Sequence, residues 1–284
     1  MSESPDKLPN PPEWMKDFLP IGQIELSNRQ AAGLVFPDLD YESQLYAIHT
    51  LLERNRAAEK ATVDAIKEIK ESVNPTETHS ERAELEWLDR VHQSVYDDAA
   101  HSMAAVGMLA PFCESLFYQA FQGIRKQVRS NKDLCETHDR WQRPTDEAWD
   151  CHFVWNSRKR RKDLLKGIAQ LADATQLTAH LPKNYEDNLT PLFAYRNKMF
   201  HGGFEWRMEE RTKFERRIKE CRWESKQWFS FARSGGAPWI IYLTNKYVDL
   251  CMTTIDEVIE GIGAYCNKHF FHRGKGTENS NESV

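Results

Sequence analysis

Residues 103–120 read MAAVGMLAPFCESLFYQA, and within them Glu114 is the one charged side chain. A stretch that is apolar nearly all round suits a helix surrounded by other helices rather than one lying at a surface. It therefore predicts a central helix, with Pro111 kinking or breaking it. Working outward, Ser80 and Glu84 open the helical pattern, and Leu85, Leu88, Val91 and Val95 carry it toward Ala110. Beyond the proline, Phe112, Leu116, Phe117, Phe121 and Ile124 continue it to about Val128.

The flanking sequence repeats this period. Leu45, Ile48, Leu52, Ala58, Val63, Ile66 and Ile69 predict a long helix over about 41–73, ended by Asn74-Pro75-Thr76. Further helices are expected over roughly 162–174, through the segment ending at Gly202-Gly203, over 207–221 with a charged, water-facing surface, and over 249–271. Residues 14–39 hold short apolar pieces suited to a small helix or an arm, and the tryptophans of 130–157 suit a connector plugged onto the bundle. Aromatic and β-branched runs at 227–232 and 239–243 flank Ser234-Gly235-Gly236, which predicts one β-hairpin at about 227–243. The expected fold class is all-α, a helical bundle with one small inserted hairpin. The polar ends, 1–13 and 273–284, are read as disordered tails around a single domain of 14–272.

Composition narrows the setting. The chain has 284 residues, 40% hydrophobic and 29% charged, with nine Trp and fourteen Phe, which suits a packed globule. A formal net charge of −5 argues against wholesale nucleic-acid binding, so any RNA contact must use local basic patches. The six cysteines form no C-x-x-C pair, and no secretory leader or membrane-length apolar run is apparent. Reduced thiols in a cytoplasmic protein with no membrane contact are expected.

The candidate site lies in Tyr195-Arg196-Asn197-Lys198-Met199-Phe200-His201-Gly202-Gly203. Leu189, Leu192, Phe193, Met199 and Phe200 recur as one helical stripe, and Arg196 falls in its middle. A buried guanidinium costs several kcal/mol unless paired. Asn197 and His201, four apart, share a face, and the glycines leave His201 in the last turn. Metal-free RNA cleavage needs a base for a 2′-hydroxyl, an acid for the leaving oxygen and cations for the phosphate. Imidazole and guanidinium suit these roles. On an ideal helix Arg196 and His201 are about 140° apart, so they meet only if the arginine stem wraps back or two copies of the helix face each other across a dimer axis.

Arg196 through His201 resembles the arginine, polar residue, variable residues, histidine motif of the higher-eukaryote and prokaryote nucleotide-binding (HEPN) superfamily, on a late helix of a mostly α bundle. That resemblance implies a metal-independent endoribonuclease with no cofactor, acting as a homodimer in which Arg196, Asn197 and His201 of two copies line a groove. It also implies a toxin–antitoxin or antiphage defence setting, with an antitoxin or other regulatory partner. The alternative is a non-catalytic HEPN-like protein that binds a nucleotide, RNA or a protein partner.

Other residues admit two readings each. Glu114 either pairs with Arg196 to orient it or forms a core pair with no chemistry. The basic run from Arg158 to Lys162 is either a solvated helix start or a phosphate track, with Arg158, Arg160 and Arg161 on RNA backbone and Trp155 stacking an unpaired base. His92 and His101 read as core-edge or surface residues. Asp97 and His101 make a two-ligand face, too little for a metal site.

Overall fold

The computed structural model describes residues 26–36, 38–72, 80–128, 138–156 and 159–271. The tails at 1–13 and 273–284, the stop at Asn74-Pro75-Thr76, Cys135 and Arg158 lie outside these residues. The first helix, α1 (Asn28–Val35), is started by a capping box in which Ser27 and Gln30 exchange side-chain and backbone hydrogen bonds. Next come α2 (Tyr41–Ser72) and α3 (Ser80–Val128), which pack as a long helical pair. Helix α3 runs unbroken through Pro111, and its middle buries Leu109, Cys113, Leu116, Phe117, Phe121 and Ile124. The central helix read from its apolar girth is therefore present.

A 3₁₀ turn (Asp139–Gln142) and α4 (Thr145–Ala148) lead into β1 (Phe153–Asn156), which pairs antiparallel with β2 (Lys159–Lys162). This second hairpin corrects the expectation of one. The basic run is not a helix start. Its described part is a strand with all four residues exposed, opposite Phe153-Val154-Trp155-Asn156. Helix α5 (Leu164–Ala174) begins only after Asp163, whose carboxylate caps Lys166 N–H at 3.3 Å.

Helix α6 (Tyr185–Gly202) packs on α3 and ends where Gly203 takes φ +65°, a backbone conformation that glycine adopts without strain. Helix α7 (Met208–Glu220) is charged, yet Phe214 and Ile218 reach the core. The expected hairpin is β3 (Phe229–Ser234) with β4 (Ala237–Leu243), turned at Gly235 and Gly236, both at positive φ. Helix α8 (Asn245–Cys266) is capped by Thr244 and closes with a π-helical turn (Asn267–Phe271). Helix α1 lies on α8 with backbone against backbone, since a Cβ on Gly263 would fall 1.8 Å from Asn28 O. The fold is predominantly helical with two minor hairpins, and its core surrounds α3. Among the described residues no helix is long and apolar enough to cross a membrane.

Candidate functional site around Arg196 and Glu114

The buried stripe of α6 is Tyr185, Leu189, Leu192, Tyr195 and Met199. It includes Tyr195, whose hydroxyl donates to Ile241 O at 2.7 Å. Arg196 is therefore not in the middle of the stripe, as its spacing suggested, but on its flank, with 30% of its side chain exposed. Phe200, also assigned to the stripe, is 56% exposed, its ring over Gly107 of α3. The guanidinium thus escapes the full cost of burial and remains partly exposed.

Its orientation comes from α3. Arg196 Nη1 donates to Glu114 Oε2 at 3.0 Å, and Nε donates to Asn197 Oδ1 at 3.3 Å. Nη2 has no hydrogen-bond partner among the described residues. Asn197 is exposed. His201 is exposed in the last turn and makes no hydrogen bond or ion pair among the described residues. One copy of the chain therefore holds Arg196, Asn197 and Glu114 together and leaves His201 apart.

A second histidine, absent from the sequence reading, completes the cluster. His152 Nε2 lies 3.1 Å from Glu114 Oε1, and its Nδ1 lies 2.8 Å from Asp150 Oδ1. A doubly protonated ring donates to both carboxylates, while a neutral ring donates to one. The ring of Tyr118, one α3 turn beyond Glu114, packs against that of His152 at 5.8 Å. The result is a chain Asp150–His152–Glu114–Arg196 across three segments. The only local signal was the spacing of Asp150 and His152, which also share a bond from His152 N–H to the carboxylate.

The loop bearing His152 is held by Arg140, which is 0% exposed. Its guanidinium donates to the carbonyls of Ala148, Asp150 and Phe153 and to Gln170. Burial pulls that guanidinium down to about 10. Cys151, inside the loop, is fully buried, and burial pushes its thiol up to about 12. A thiol kept protonated in this way is a poor nucleophile.

The basic hairpin starts beside the cluster, because β1 follows His152 directly and Asp163 N–H donates to His152 O at 3.0 Å. Trp155 faces Arg160 across the strands. Arg160 sits over the Phe153 ring at 3.8 Å and 3.8 Å from Glu147, while Arg161 pairs with Asp163 at 2.9 Å. Trp155 is half-buried, with the Arg143 guanidinium 4.8 Å from its ring centre. Arg158 lies outside the described residues. Among the described residues no group of three or more His, Cys, Asp or Glu side chains is arranged to hold a metal ion. Comparison of the chain with protein-family models, curated proteins and solved structures finds no match.

Proposed function

We propose that the chain is a metal-independent endoribonuclease of the HEPN type, working in the cytoplasm as a homodimer under an antitoxin or similar regulator. The observation that carries this reading is the Glu114–Arg196 pair. It fixes a partly exposed guanidinium, with Nη2 unspent among the described residues, on the helix whose last turn carries the exposed His201. In the reaction Arg196 grips the scissile phosphate through its forked donors. A histidine takes the proton of the 2′-hydroxyl, and the 2′-oxygen bonds to phosphorus. The P–O5′ bond breaks, and a second imidazole returns a proton to the 5′-oxygen. The products are a 2′,3′-cyclic phosphate and a 5′-hydroxyl. Two copies of His201 across a dimer axis supply the acid and the base. The exposed strand Lys159–Lys162 offers backbone contacts to RNA beside the cluster.

The test is cleavage of single-stranded RNA in excess chelator. His201→Ala should slow it about 10²–10⁴-fold, and Arg196→Lys about 10²-fold. Parental rates from H201A remove His201 from the mechanism.

A second reading is non-catalytic binding of RNA or a nucleotide. It is favoured by His201, whose ring has no described partner to orient it, unlike the supported bases of known acid–base sites. Salt-sensitive RNA binding with no scission under any condition selects this reading.

A further inference from the structure

A separate cavity of about 300 Å³ opens where α2, α3, β4 and the start of α8 meet. Leu52, Ala105 and Val248 give it an apolar floor, and two carboxylates, Glu59 and Asp98, line it. Asp98 and Glu114 are both on α3, about 24 Å apart along its axis. The cavity is thus distinct from the Arg196 cluster.

Its charges are not internally matched. Glu59 Oε2 accepts from the Asn245 side-chain amide at 2.8 Å, and Asp98 accepts from the Tyr242 hydroxyl. Both donors are neutral. Among the described residues neither carboxylate forms a salt bridge. Arg56 lines the same cavity, but its Nη1 binds Glu53 at 3.0 Å and its Nη2 binds Asp249. Its Nε and the Nδ1 of His101, a fellow lining residue, are buried without hydrogen-bond partners among the described residues. Two carboxylates whose hydrogen-bond donors are neutral, with Arg56 committed to Glu53 and Asp249 and the His101 ring beside Asp98, leave this partly enclosed cavity suited to a further positive charge. The volume sits at the small end of ligand pockets.

We propose that this cavity binds a small aliphatic primary amine, with Asp98 and Glu59 as joint acceptors of its ammonium group. His101 Nδ1, in the tautomer that leaves it unprotonated, supplies a third acceptor. Burial, with the neighbouring Glu59 charge, pushes the Asp98 carboxyl up to about 6, and an ammonium ion between the two relieves that strain. Shape and charge can be separated with matched probes. Calorimetric titration of the full chain with 1,4-diaminobutane should saturate. The neutral isostere 1,4-butanediol and the anion propionate should bind at least tenfold more weakly. Asp98→Asn and Glu59→Gln should each weaken diamine binding about tenfold, with circular dichroism confirming that both variants are folded. The proposal is overturned if the diamine does not saturate at millimolar concentration, if the diol binds as well, or if neither variant changes the affinity.

Discussion

Glu114 and Arg196 stand 82 positions apart in sequence, yet their side chains meet at 3.0 Å, and the other oxygen of Glu114 meets His152 at 3.1 Å. A single carboxylate from the core helix thus ties the late-helix arginine to a loop histidine. Each of the three side chains is about two-thirds buried, so the pairing is shielded more than a surface ion pair. A double-mutant cycle with Glu114→Ala, Arg196→Ala and the double variant should give a coupling energy of about 1 kcal/mol in urea unfolding. Additive effects of the two single variants would show that the pair contributes nothing.

His152 and His201 should fail in opposite ways. His152→Gln removes a ring that bridges Asp150 and Glu114, so it should lower the melting temperature by a few degrees, for about 1–2 kcal/mol. His201→Ala removes an exposed side chain with no hydrogen bond or ion pair among the described residues and should leave the melting temperature within about 1 °C. RNA cleavage should show the reverse ranking. If H152Q abolishes cleavage while H201A spares it, the acid–base role belongs to the loop and not to the helix end.

Arg140 is the structural keystone of that loop. Replacing it with Leu removes the donor from the buried carbonyl of Ala148 and from the part-buried carbonyls of Asp150 and Phe153. Each unsatisfied group costs about 1–3 kcal/mol, partly offset by the apolar replacement. Arg140→Leu should therefore destabilise by roughly 3 kcal/mol in denaturant unfolding. It should also raise amide exchange across 148–153 in hydrogen–deuterium measurements.

These side chains explain what was legible beforehand. Helix periodicity is local, so the apolar girth of 103–120 announced the core helix, and Ser234-Gly235-Gly236 announced a hairpin through its need for positive φ. The face of α6 was ambiguous by one residue, because Tyr195 and Arg196 both fit between Leu192 and Met199. The packing of Tyr195 on Ile241 decides between them, and that contact crosses 46 residues. The strand Lys159–Lys162 has no apolar alternation of its own and exists through pairing with β1. The meeting of His152 with Glu114 joins segments 38 positions apart that no local spacing connects. Arg140 carried no sequence signal at all, since a lone arginine in an aromatic connector reads as a surface residue.

Acid dependence offers a test at the second site. The Asp98 carboxyl faces Glu59 and Arg56 from α2, Asp97 and His101 on its own helix, and Tyr242 from β4. Burial first, and the Glu59 charge second, raise it from 3.8 to about 6. The folded chain therefore binds this proton more tightly than the unfolded chain does. Below about pH 4 both states hold it, and Asp98 adds no pH-dependent penalty. As the pH rises from 4 through 6 the unfolded state gives up the proton first, and folding becomes less favourable. Above pH 6 the penalty is fully developed. Asp98→Asn keeps an acceptor for Tyr242 and removes the charge, so it should melt a few degrees higher than the parent at pH 7.5. A shift of this size is worth at most about 3 kcal/mol, and solvent access to the half-buried group reduces that to roughly 1. The two melting temperatures should converge as the pH falls to 4. A gap that is constant from pH 4 to 7.5, or one of opposite sign, would mean that Asp98 is ionised at ordinary cost and that a cation already inside the protein compensates it.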